Sequence, residues 1–233
     1  MLTLRPANTR GVTKIGCLDS QHSFSFGNYR DAKNTHFRSL RVINDDRIAA
    51  GAGFGTHPHD NMEILTYVLA GEIAHKDSTG AGGTLGPGDI QHMTAGGGVL
   101  HSEFNPSQTN PTHLFQIWLM PTEDDAPPAY NERLGGASAR RDTLQLIAAP
   151  DGANGAIAWK TGARLYAGNI SEGTSVRAAL APGRYGYIQV MTGAARVNGT
   201  ALGAGDAATT VDETSLEIVG GAGGAEVLVF DLE

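Results

Sequence analysis

Short runs rich in β-branched and aromatic residues recur along this chain, and each is closed by a turn residue. That pattern favours a β-sandwich or barrel over other folds. Arg38-Ser39-Leu40-Arg41-Val42-Ile43-Asn44 reads as a strand ended by Asp45-Asp46. Glu63-Ile64-Leu65-Thr66-Tyr67-Val68-Leu69 reads as a second that stops at Ala70-Gly71, and His113 to Met120 as a third stopped by Pro121. The chain carries 32 glycines without a collagen repeat, as expected where many tight turns join short strands. No long helical pattern appears; short helices are expected only near residues 171–180 or in the tail.

The 233 residues suffice for one large β-domain or two small ones, and a 40% hydrophobic content matches a globular core. A net charge of −7, with no basic run longer than Arg140-Arg141, argues against nucleic acid as the main partner. Cys17 is the single cysteine, so no internal disulfide is possible. The N-terminal Met1-Leu2-Thr3-Leu4-Arg5-Pro6 lacks the apolar core of a signal peptide, and no run of 18 apolar residues occurs. A cytoplasmic chain without a membrane span is the expectation.

Two domains are expected, 1–133 and 134–233. The segment from Pro121 to about Arg141, with Pro127-Pro128, three consecutive acidic residues and Gly135-Gly136, reads as a surface connection between them. A weak repeat supports the division. Tyr67-Val68-Leu69-Ala70-Gly71 with Leu85-Gly86-Pro87-Gly88-Asp89-Ile90 has a counterpart in Gln189-Val190-Met191-Thr192-Gly193 with Leu202-Gly203-Ala204-Gly205-Asp206-Ala207.

All eight histidines fall at or before His113, so only the first half can carry a histidine-based site. His57 and His59 stand two apart and share a strand face, as do His101 and Glu103; Glu63 has the parity of the first pair. Two such pairs on adjacent antiparallel strands can converge on one ion. Imidazole with a carboxylate suits a divalent transition metal and leaves positions open for substrate or O2. Spacing leaves Glu63 and Glu103 both eligible as the carboxylate. His22, His36, His75 and His113 read as ordinary core or surface residues, and His92, after the Gly88-Asp89 turn, is placed near the barrel mouth.

The series Gly51, His57-Pro58-His59, Glu63, Gly71 resembles the first cupin motif, and Gly86-Pro87-Gly88-Asp89 through His101 covers the region of the second. Thr56-His57-Pro58-His59, Met62 to Tyr67, Gln91-x-Met93-x-Ala95-Gly96 and His101-Ser102-Glu103-x-Asn105-Pro106 resemble pirin segments more closely. So do His22-x-Phe24-Ser25-Phe26 and Leu114-x-Gln116-Ile117-Trp118. The likeness covers most of residues 20–133 and is greatest to bacterial pirins with quercetin 2,3-dioxygenase activity. It implies an all-β bicupin, two jelly-roll-like β-barrel domains with a metal only in the first. It further implies His57, His59, His101 and Glu103 as ligands, with Glu63 left as a partner that orients a histidine. The metal it implies is iron(II), at a site type that also accepts nickel, cobalt, manganese, copper or zinc. The implied reaction is O2-dependent cleavage of a flavonol, with Glu103 as base and Phe24, Phe26 and Phe104 as candidate apolar walls. Two other roles fit the same resemblance: a redox-sensing regulator that binds a protein partner, and a cupin oxygenase or isomerase with another substrate.

Overall fold

The computed structural model describes residues 1–136 and 138–233. They form twenty strands and three short 3-10 turns. In chain order these are β1 Thr3–Arg5, β2 Gly11–Ile15, β3 Leu18–His22, β4 Leu40–Ile48, β5 Gly53–His59, β6 Glu63–Ala70 and β7 Ile73–Asp77. Then come β8 Gly82–Leu85, β9 Ile90–Thr94, β10 Val99–Phe104, β11 Thr112–Leu119, β12 Ala129–Arg133 and β13 Gln145–Ala149. The last are β14 Ile157–Ala158, β15 Arg164–Ile170, β16 Ser175–Ala179, β17 Tyr185–Val197, β18 Thr200–Gly203, β19 Ala207–Thr210 and β20 Ser215–Leu232. The chain is all-β, as its turn punctuation predicts. Among the described residues no helix is long and apolar enough to cross a membrane.

Three local expectations need correction. Asp45-Asp46 does not end a strand; β4 runs through both to Ile48. Partners remove the cost of burying these carboxylates: Asp45 accepts from His113 at 2.7 Å and Arg47 at 3.1 Å, and Asp46 accepts from the Ser20 hydroxyl. Residues 171–180 and the tail are not helical. They contain β16 and the 18-residue β20, which pair antiparallel. The stretch after Pro121 is not wholly a connection either, since β12 adds to β9 as the edge strand of a sheet, just beyond Pro127-Pro128.

The chain divides into two compact units. One gathers Met1–Arg10, the stretch that ends at Ala158, and Gly162–Glu233; the other gathers Gly11–Gly136 and Trp159–Thr161. That grouping departs from a single break at 133/134 at residues 1–10, 134–136 and 159–161. β1 extends the later unit's nine-stranded sheet by pairing with β19. Lys160, beyond the expected break, donates its N–H to Glu63 at 2.9 Å, and its carbonyl accepts from the Thr122 N–H.

The later unit packs around Val190, Val197, Ile218, Val227 and Val229, all buried on the nine-stranded sheet. The earlier unit has a seven-stranded sheet, order β12-β9-β6-β11-β4-β3-β2, and a four-stranded sheet, order β5-β10-β7-β8. Ile48, Val68 and Leu114 of the large sheet pack on Ile73 and Leu85 of the small one. Strand pairing aligns His22, Asn44, Gln116, Thr66 and Gln91 in one rung across β3, β4, β11, β6 and β9. All five are buried. Trp118, Ile64 and Met93 form the next rung, so a polar row lies beside an apolar one on the same face.

Candidate metal centre

β5 and β10 pair antiparallel with His101 directly opposite His57, so the two i, i+2 pairs meet side by side. The register then slips, and Glu103 lies opposite Phe54. The extra residue falls on β5 between Phe54 and His57, where such a bulge bends the strand and re-aims its side chains. The Gly55 carbonyl turns towards the His57 ring and takes a hydrogen bond from Nδ1 at 2.8 Å. That bond puts the proton on Nδ1 and leaves the Nε2 lone pair bare.

The other side of the site is ordered by a second chain of bonds. Gln91 donates to His75 Nδ1 at 2.9 Å, and His75 donates from Nε2 to Asp77 at 3.2 Å. His101 Nδ1 stands 3.4 Å from the same His75 nitrogen. Tyr130 stacks on His75 with ring centroids 4.8 Å apart.

His57 Nε2 and His101 Nε2 are 3.0 Å apart. That distance suits one proton shared between them or, with both nitrogens deprotonated, one cation. Two ligands about 2.1 Å from one ion and at right angles stand about 3.0 Å apart. His59 completes the trio: its ring centroid is 4.8 Å from both His57 and His101, and the donor atoms of all three lie within 4.8 Å of one another. Donor chemistry and spacing thus both fit a transition ion.

Glu103 joins a second set of the same kind with His75 and His101. Its carboxylate is buried and accepts from Gln116 at 2.8 Å and Thr66 at 3.3 Å. Burial holds it above the ordinary carboxylate range, against the lowering effect of His75 and Gln116. Glu63 lies in neither set. A turn with Asn61 at φ 46° separates β5 from β6, so the parity that seemed to align Glu63 with His57 is lost. Glu63 does orient a histidine, but that histidine is His92, at 2.8 Å. The same oxygen accepts from Thr94 and Lys160. His92 is accordingly not at a barrel mouth; it is fully buried, with its ring 6.2 Å from that of Trp159. Glu63→Ala strands three donors, at about 1–3 kcal/mol for each buried group left unsatisfied. A lower Tm with unchanged metal content is expected, measured by thermal melts and elemental analysis.

Burial, then the neighbouring imidazoles, push His59 down to about 4 and His101 to about 3. Their ordinary value is 6.5, so between about pH 4 and 6.5 the unfolded chain binds more protons and stability rises with pH. Asp46 opposes this. Burial lifts it from 3.8 to about 7, so over that window the folded state holds its proton more tightly. Glu103, also raised by burial, opposes it too, so each group's sign is read from its own variant. His59→Asn should remove the His59 share, so that the stability gained from pH 4.5 to 6.5 is smaller than in wild type, as read from urea midpoints of the metal-free protein; an unchanged difference would contradict this.

Two of the three, His57 and His59, border a cavity of about 540 Å³ whose lining also includes Glu103, Gln116 and Trp118. Of the aromatic residues expected to wall it, Phe26 does so, 5.4 Å edge-on to Trp118. Phe24 is buried in the core and Phe104 faces solvent; Phe54 and Trp118 take their places. His113 bonds Asp45 and His36 is exposed, as ordinary residues do. His22 and His75 are not ordinary: the first lines the cavity and the second buttresses His101. Their alternation within β3 and β7 was a readable signal, but which face was inward was not.

The Pirin family model matches residues 4–119, and a second model, the quercetinase C-terminal cupin domain, matches residues 146–232. The chain is 43% identical over 232 residues to a protein of Escherichia coli K12 named quercetin 2,3-dioxygenase, covering all of this chain and 99% of that one. A pirin-like protein of Caulobacter vibrioides is 36% identical over 94% of each chain. The crystal structure of YhhW from Escherichia coli superposes with a TM-score of 0.95 at 42% identity, covering 100% of this chain and 98% of that one. The same bacterial pirin in complex with nickel(II) gives 0.93 at 42% identity, with 100% and 99% covered. The paired histidines on β5 and β10, the two cupin-type domains and these full-length likenesses lead to one conclusion: the chain belongs to the pirin family.

Proposed function

We propose that this protein is a metal-dependent dioxygenase that cleaves a flavonol such as quercetin with O2. The observation that carries the reading is the convergence of His57, His59 and His101 on one ion-sized space beside a cavity with aromatic walls. Similarity to a quercetin 2,3-dioxygenase along the whole chain supports it. His57, His59, His101 and Glu103 are the proposed ligands, and iron(II) the proposed metal. Nickel, cobalt, manganese, copper and zinc suit the same donors, since ligand type does not select among them. The ion supplies open coordination positions and the electronic chemistry that O2 requires.

The remaining work falls to side chains. Trp118, Phe26 and Phe54 offer flat surfaces to a planar ligand and exclude water from it. Glu103 accepts the proton of the flavonol 3-hydroxyl. A carboxylate raised by burial is a better base near neutral pH than an exposed one. Gln116 and Thr66 fix its orientation so that little reorganisation is needed. The test supplies quercetin and O2 to protein loaded in turn with each metal and follows loss of the flavonol absorbance. Turnover with at least one metal is expected; none with any of them would sink the assignment.

A further inference from the structure

Outside the His57, His59 and His101 trio, the cavity has polar equipment that the metal reading leaves unused. The inward positions of β3 and β4 are Leu18, Ser20 and His22 on one and Asn44 and Asp46 on the other; four of the five are polar, and all five line the cavity. Strand register sets Ser20 opposite Asp46 and His22 opposite Asn44. Ser20, His22, Asn44 and Asp46 are each no more than 2% exposed. Burying four polar side chains in a row is costly unless each is satisfied or serves a ligand.

Part of the row is satisfied internally. His22 donates from Nδ1 to Asn44 Oδ1 at 2.8 Å and accepts from the Thr13 hydroxyl at Nε2, also 2.8 Å. Ser20 donates to Asp46 Oδ1. Two atoms are left over. Among the described residues, neither Asp46 Oδ2 nor Asn44 Nδ2 has a hydrogen-bond partner. One is an acceptor and the other a donor, two positions apart on the same face of β4. Asn44 is also the cross-strand neighbour of Gln116, which holds Glu103. The row therefore begins beside the side chain that holds the proposed base.

We propose that Asp46 and Asn44, held by Ser20 and His22, form a subsite for a phenolic hydroxyl on the part of the substrate remote from the metal, and so select hydroxylated aromatic ligands. A phenol matches both atoms: its O–H donates to Asp46 Oδ2, and its oxygen accepts from Asn44 Nδ2. Burial holds Asp46 near 7, so the carboxylate is poorly solvated and gains from a donor brought by the ligand. Leu18, Phe26 and Phe54 surround the row with apolar surface, where an unmet hydrogen bond is felt in full.

The inference rests on the flavonol reading above, and the test separates the two. The probes are quercetin and 3-hydroxyflavone, which keeps the chelating hydroxyl and ketone but has no remote hydroxyl. Turnover with O2 gives KM, and anaerobic absorbance titration of metal-loaded protein gives Kd. The wild type should favour quercetin by at least about tenfold in both, because a site built for a hydroxyl rejects the analogue that lacks it. Asp46→Leu, which refills the space without polarity, should bring that ratio close to one at unchanged metal content. If Asp46→Leu fails to load metal, Asp46→Asn is read in its place and should lower the ratio severalfold. A wild-type ratio near one, or a ratio unchanged in a metal-loaded variant, overturns the subsite while the flavonol reading stands. Neither binding nor turnover of either probe by loaded wild type overturns both.

Discussion

Metal affinity falls by more than about 100-fold when His101 is replaced by alanine, and by a similar factor for His57→Ala. Changing only a residue that orients a ligand typically costs 10–100-fold, and removal of the ligand itself exceeds that. These two positions are the most sensitive because they face each other across the paired strands, with Nε2 atoms 3.0 Å apart. Each is committed to that geometry by its other nitrogen, His57 by the Gly55 carbonyl and His101 by His75. His101 also links the trio to Glu103, since it belongs to both donor sets. Its loss therefore removes a proposed ligand that is also the neighbour of the proposed base. Calorimetric titration with nickel(II) or zinc, with metal content after dialysis, reads the effect. Full metal retention by both variants would refute the site.

Gly53→Val destabilises the protein by about 3 kcal/mol, the upper part of the usual range for forcing volume into a packed site. A Cβ at Gly53 would lie 2.1 Å from the Glu103 carbonyl oxygen and 2.6 Å from the Phe104 Cα. Both are backbone atoms of β10 and cannot rotate away, so the strand carrying His101 and Glu103 must move. For a chain of this length the loss corresponds to a Tm lower by about 6–12 °C. Gly55→Ala is the control. Its Cβ would meet nothing within 4 Å, and its Tm should change little. Equal melting of Gly53→Val and wild type would show that β5 and β10 are less closely apposed than this geometry requires.

Much of this protein was legible from local pattern. Strands announce themselves by alternation and by the turn residues that close them, so β6 and β11 were readable to within a residue or so. His57 with His59, and His101 with Glu103, were readable as pairs because two residues of one strand keep a common face whatever surrounds them. What failed were inferences about where a strand stops and about faces across a turn. Asp45-Asp46 looked like a terminus because isolated carboxylates avoid burial; their partners, Ser20 and His113, lie 26 and 68 residues away in the chain. Glu63 looked aligned with His57 until the Asn61 turn reset the parity.

By itself, then, the sequence determined an all-β chain in two halves, the confinement of every histidine to the first, and the members of each i, i+2 pair. These follow from the two-residue period of a strand, which needs no knowledge of its neighbours. Only the tertiary structure decided that β5 meets β10, that a bulge offsets Glu103 from the trio, that His75 stands behind His101, and that one polar rung crosses five strands. Register between strands is a long-range property: a slip of one residue sends every side chain to the opposite face. It is set by the packing of both sheets together, which no single stretch of the chain contains.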